Sequence, residues 1–167
     1  MSVADEGFEY IVKEPAVPDA PARRYIELVN ESSRVREHIT AAVLPIEEEF
    51  RKLIVSNAYS EAELIFQENV LLSVFDTDRS LRNLKEMFET GILDLWVYEN
   101  EFPVAFAIID QTVLLGAQQP EELLIIEADA FREEWAESYF EYFREDAVPF
   151  ATWLADHPSA KQNWESV

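Results

Sequence analysis

His38 and His157 are the two side chains whose ordinary pKa lies nearest neutrality, so they are the first candidates for proton or metal chemistry. They stand far apart, and neither has a third ligand at metal-binding spacing; a metal site would need carboxylates brought in by the fold. The expectation is therefore no metal, with His38 partly exposed and His157 in the tail. The absence of cysteine excludes disulfides, thiolate metal sites and cysteine nucleophiles together. Gly7, Gly91 and Gly116 are the only glycines, too few for a phosphate loop or dinucleotide cradle, and no G-x-S-x-G elbow is present. No D-x-D-x-D-G loop supports calcium. No cofactor is expected. The 34 acidic side chains make carboxylate pairs everywhere, so spacing alone distinguishes no general acid–base pair.

Those residues must be held by a chain of 167 residues, a length that fits one domain. A hydrophobic fraction of 49% and 13% aromatics supply a core in spite of a formal charge of −21, which argues against disorder. The charge repels phosphate and makes the chain taken alone a poor nucleic-acid binder. The acids are dispersed, as in Glu47-Glu48-Glu49 and Glu133-Glu134, and lysine is scarce; this pattern resembles that of salt-in halophiles, kept soluble by carboxylate hydration, with an ordinary acidic mesophile as the alternative. No long apolar run spans a membrane and the acidic start is unlike a signal peptide, so a cytoplasmic location is expected.

Periodicity divides the chain into an N-terminal arm over 1–21, an α/β domain over 22–155 and a tail over 156–167 that frays. Within the arm, Phe8 to Val12 can add an edge strand. Helices are predicted from Ala22 to about Asn30, from Pro45 to about Ser56, and from Asp78 to the C′ glycine Gly91. The stretch Val35 to Val43 reads equally as strand or helix entry. Ala62 to Phe66 and Ile92 to Tyr98 read as strands, the second with Trp96 and Tyr98 on one side and Leu93, Leu95 and Val97 on the other. Val70 to Phe75 reads as a helical turn. Pro103 to Ile109, Asp110-Gln111 and Thr112 to Ala117 read as a hairpin with a two-residue turn, and Leu123 to Ile126 as one more strand. Asp129 caps a last helix carrying Phe131, Trp135, Tyr139, Tyr142 and Phe143. That aromatic stripe is read as core or as a dimer interface, here assigned to Trp135, Tyr139 and Tyr142. Alternating helices and strands predict a single α/β domain, a mixed central sheet with flanking helices.

The hairpin Pro103 to Ala117 (PVAFAIIDQTVLLGA) resembles that of the phospholipase D superfamily, in which a strand carries H-x-K-x4-D and runs on towards a glycine. On this chain the histidine position falls on Pro103, the lysine position on Ala105 and the aspartate on Asp110. Proline can neither attack phosphorus nor shuttle a proton, and alanine cannot hold a phosphoryl oxygen. The resemblance thus implies a phospholipase D-like half-domain without catalytic residues, and no enzyme.

The order of further segments is similar to the effector-sensing domains of archaeal, chiefly haloarchaeal, winged-helix transcription regulators of the methanogenesis-regulator type. These segments are Val17 to Val29, Ser33 to Arg36, Pro45, the Leu64-Ile65 strand, Leu95 to Tyr98, Phe102 to Gly116 and Glu134 to Phe143, within roughly residues 15–150. Two departures stand out: Val104-Ala105 replaces the glycine usual after the hairpin proline, and the N-terminal winged helix is absent from this chain. The resemblance implies a ligand-sensing and dimerisation domain, a symmetric homodimer as regulators form, an unknown small-molecule effector, and DNA contact only through that absent winged helix. Trp96, Tyr98, Phe102, Phe106 and Asp110 are the candidate ligand-binding residues, although each taken singly is read first as core. Arg34, Arg36 and His38 are candidates for an anionic metabolite or, alternatively, solvated surface. A second reading is a stand-alone adaptor or antagonist that heterodimerises with a DNA-binding regulator through the aromatic helix.

Overall fold

The computed structural model describes the backbone of residues 2–5, 8–12, 20–42, 44–119, 122–128 and 133–167, and the side chains of 21–42, 46–116 and 134–167. Along the chain run β1 (Ser2–Asp5), β2 (Phe8–Val12), α1 (Ala20–Asn30), β3 (Arg34–Ile39), α2 (Leu44–Val55), β4 (Glu61–Gln67), α3 (Glu68–Phe75) and α4 (Asp78–Glu89). There follow β5 (Leu93–Tyr98), β6 (Ala105–Ile109), β7 (Thr112–Gln119), β8 (Glu122–Ala128), α5 (Glu133–Glu145), β9 (Val148–Pro149), α6 (Phe150–Asp156) and α7 (Pro158–Ser166). Among the described residues the strands form one mixed sheet in the order β1-β2-β8-β7-β6-β3-β4-β5-β9. Of these pairings β3-β4 and β4-β5 are parallel.

The parallel centre explains the pattern of β4. Its residues 62–66 are all buried, because helices cover both sides of a strand that has neighbours at both edges. On one side, Ala62, Leu64 and Phe66 join Val35, Leu93, Leu95, Val97 and Ile109 beneath helices α1, α2, α3, α4, α6 and α7. On the other, Ile65 joins Phe106, Ile108 and Val113 beneath Ala136, Phe140 and Phe143 of α5. Of the stretch Val35 to Val43, ambiguous in sequence, Val35 to Ile39 belong to β3 and 40–42 follow it as irregular chain, while Val43 lies outside the described residues. Pro45 lies in the first turn of α2, where its missing N–H costs nothing. Gly91 takes φ +77 after α4, as the C′ position requires. Thr77, not Asp78, occupies the N-cap of that helix, and Asp78 lies in its first turn.

Two further expectations change. The residues from 156 onward do not fray: Pro158 starts α7, and Trp164 packs against Phe75, Phe88 and Phe150. Lys85 donates to the carbonyls of Trp164 and Val167, anchoring the helix end. The arm contributes two strands, with β2 pairing to β8. Asp129 and Phe131, the expected cap and first stripe residue of the last helix, lie outside the described residues. No helix among the described residues is long and apolar enough to cross a membrane, and no group of three metal-ligating side chains is found among them.

Candidate functional site

A cavity of about 390 Å³ lies between the sheet and helices α1 and α2. Small residues create it. Ala105 and Ala107 on β6 and Gly116 on β7 face this side, and Ala105 pairs with Gly116 in register. Neighbouring strands fill the same layer with Leu64, Phe66 and Leu95. Tyr25 of α1, Phe50 of α2, Met87 of α4 and Leu114 complete walls that are mostly apolar. A mostly apolar hollow with a few converging polar groups is the usual form of a small-molecule site.

The converging polar group is Glu37. In β3, Val35, Glu37 and Ile39 share the parity that faces α1 and α2, so the carboxyl stands where an apolar side chain belongs. Register sets it between Leu64 of β4 and Ala107 of β6. The Tyr25 hydroxyl donates to Glu37 Oε2 at 2.5 Å. Burial raises the carboxyl from 4.5 to about 7, against a smaller lowering by that hydrogen bond. Burial first, then the Glu37 charge, raises the Tyr25 hydroxyl well above 10.0. What surface Glu37 exposes opens onto the cavity, so its partial accessibility and its strong desolvation are compatible. Glu47 of α2 also lines the space, its carboxylate receiving the Ser80 hydroxyl at 2.8 Å. No lysine or arginine is among the described lining residues.

The opposite face of β3 carries Arg36 and His38. His38 is buried, contrary to the expectation of a partly exposed ring, because β3 is an inner strand covered by α5. It stacks on Phe102 at 4.3 Å and Phe140 at 5.3 Å, with Phe106, Tyr139 and Phe143 around it. Neither ring nitrogen makes a well-formed hydrogen bond. Burial lowers its pKa to about 3, against a smaller opposing pull from the Phe140 backbone, so the imidazole is neutral and serves as a flat core ring. Arg36 reaches buried Glu63 at 3.4 Å and Glu137 at 3.5 Å, and Arg144 reaches Glu63 at 2.5 Å, which ties α5 to the sheet by charge. Arg34 pairs with Glu61 at 3.0 Å. His157 is held by Trp153 and faces Glu68 at 3.3 Å.

Of the five residues expected to line one site, Trp96, Tyr98, Phe102 and Phe106 do come together, but in the filled aromatic layer under α5. Only Phe106 also lines the cavity. Asp110 is elsewhere, in the β6–β7 turn at φ +50, where Oδ1 accepts the amides of Ser33 at 3.1 Å and Arg34 at 3.0 Å. It is a clasp between turn and strand, too far along β6 to join the others. Among the residues assigned to an interface, Tyr139 packs on Phe106, whereas Trp135 and Tyr142 are 54% and 63% exposed. The buried stripe of α5 is instead Ala136, Phe140 and Phe143, at helical spacing. Glu37, Tyr25 and the small residues of β6 and β7 are the features that sequence reasoning passed over. The legible signal was an acid on the apolar parity of β3.

A family model for the middle domain of the methanogenesis regulatory protein FilR1 matches residues 18–146. No curated protein sequence matches the chain. Among solved structures, TrmBL2, an archaeal chromatin protein with a novel mode of DNA binding, superposes with a TM-score of 0.67 at 14% identity, over 88% of this chain and 55% of its own. The chain thus spans about half the length of that protein. Nuc from Salmonella typhimurium, a phospholipase D family member, gives 0.62 at 12% identity, over 86% of this chain and 98% of its own. NucT from Helicobacter pylori gives 0.63 at 15% identity, over 86% and 99%. At these identities the likeness is one of fold. In this chain Pro103 precedes β6 and Ala105 stands at its start.

Proposed function

The chain belongs to the family of the FilR1 middle domain, and on that premise we propose that it is the small-molecule-sensing and dimerising domain of an archaeal transcription regulator, not an enzyme. The observation that carries the sensing role is the 390 Å³ cavity with Glu37 in its wall. The cavity borders α1, α2, β3 and β6 at once, so an occupant can alter how two helices sit on the sheet, and a ligand shifts an equilibrium only through such differential contacts. The reading replaces the aromatic layer of Trp96, Tyr98 and Phe102 with the cavity as the ligand site and keeps Phe106 at its edge. DNA contact belongs to a winged-helix domain outside these residues, since a chain of charge −21 repels phosphate.

Dimerisation through Trp135 and Tyr142 of α5 is supported by their exposure. The flanking acids Glu134, Glu137, Glu141 and Glu145 favour a second reading, in which this face meets a basic partner chain. Light scattering decides between them: a dimer in molar KCl that Trp135→Ala and Tyr142→Ala make monomeric supports self-association, and a monomer at every salt concentration favours the partner. The sensing role is tested by a thermal-shift screen of cell metabolites on the wild type and on Ala107→Met, which fills the cavity. A hit abolished by Ala107→Met supports sensing. A broad screen with no hit, or with hits indifferent to that variant, refutes it.

A further inference from the structure

The chemistry of the cavity wall narrows what it can hold. Its interior is apolar on most sides, its acidic lining groups are the carboxyls of Glu37 and Glu47, and Tyr25, Phe50 and Phe66 contribute aromatic rings to its wall. We propose that this cavity receives a small organic amine, an apolar body carrying one ammonium, with Glu37 as its counter-ion. This rests on the sensing role and specifies the class of effector.

Complementarity selects the amine. An anionic ligand would meet Glu37 and Glu47 with no lysine or arginine among the described lining residues to offset them and with the lining His38 neutral, and like charges in a desolvated space repel strongly. A neutral apolar ligand would leave the Glu37 carboxyl facing hydrocarbon. An ammonium places its donors on the carboxylate while its charge lies against aromatic faces, and both contacts strengthen where water is excluded. Tyr25 holds the carboxylate in place through its 2.5 Å hydrogen bond, so the acceptor is oriented before the ligand arrives. Burial raises the carboxyl to about 7, so part of it is protonated at neutral pH. An entering ammonium draws it into the charged form, so binding releases a proton from Glu37 to solvent at neutral pH.

Three probes of matched size test this: 2-phenylethylamine, 2-phenylethanol and 3-phenylpropanoate, titrated calorimetrically into the wild type, Glu37→Gln and Ala107→Met. The expected result is that the amine binds the wild type at least about ten-fold more tightly than the alcohol, and the acid not at all. In buffers of different ionisation enthalpy the amine releases a fraction of a proton near pH 7, and Glu37→Gln abolishes both the preference and the release. Ala107→Met removes binding of every probe. An alcohol or acid that binds best, or an amine preference that survives Glu37→Gln, overturns the amine inference and leaves the sensing role standing. Absence of binding by all three up to about 10 mM also overturns it. The sensing role falls separately, if the metabolite screen yields no hit sensitive to Ala107→Met. Should Glu37→Gln fold poorly, proton release by the wild type alone still decides, because a merely structural Glu37 would release none.

Discussion

Replacing Glu37 by Gln removes one titrating group from the cavity while keeping its shape and an acceptor for the Tyr25 hydroxyl. In the folded chain burial raises this carboxyl from 4.5 to about 7; unfolded, it titrates in the ordinary range. A raised pKa means that the folded state retains a proton the unfolded state has already released. The stability this group contributes is therefore fully present below about pH 4.5 and is lost as pH rises through about 7. Each tenfold gain in proton affinity on folding is worth about 1.4 kcal/mol, so the loss across this window is about 3 kcal/mol. Glu37→Gln undergoes no such loss. The variant should lie within about 1 kcal/mol of the wild type near pH 5 and exceed it by about 3 kcal/mol near pH 8. The assay is urea unfolding of both proteins at steps of pH, in molar KCl to screen the remaining acids. Taking the difference cancels the titration of every carboxyl the two proteins share. Tyr25 and Tyr59, which also interact with Glu37, are both pushed upward by burial and stay neutral throughout the window. A difference that is flat with pH, or a variant less stable than the wild type near pH 8, would show that Glu37 is not desolvated in the folded chain.

Three further outcomes are expected. Glu63→Ala leaves Arg36 and Arg144 without their shared buried partner and should destabilise by about 3 kcal/mol in urea, with α5 amides losing hydrogen-exchange protection first; a change under about 1 kcal/mol would mean the network is solvent-screened. Asp110→Ala removes the acceptor for two amides at a position with φ +50 and should cost about 2 kcal/mol, whereas Asp110→Asn, which tolerates the left-handed region and keeps an oxygen, should cost less than half of that; equal losses would show that the clasp is not what stabilises the turn. Trp164→Ala should lower stability by about 3 kcal/mol and perturb the NMR signals of Phe75 and Phe150, an effect absent if α7 does not stay docked.

Much of the fold follows from local pattern. The helix closed by Gly91, the two faces of β5 and the hairpin turning at Asp110-Gln111 are all legible because each depends on residues a few positions apart: a C′ glycine, a period of two, a two-residue turn. That Pro103 and Ala105 stand where the hairpin resemblance expects a histidine and a lysine is equally a matter of residue type. The cavity is not local in this sense. Alanines at 105 and 107 and glycine at 116 become a void only when β6 and β7 are set opposite α1 and α2, and Glu37 becomes its polar point only when pairing with β4 and β6 makes β3 an inner strand. The same pairing buries His38, whose neutrality comes from the five rings packed around it. Residue types and short spacings are enough to say that the chain carries no thiol and no glycine-rich phosphate loop. Which of its many acids differs from the rest depended on burial, and burial is set by contacts between segments far apart in the chain.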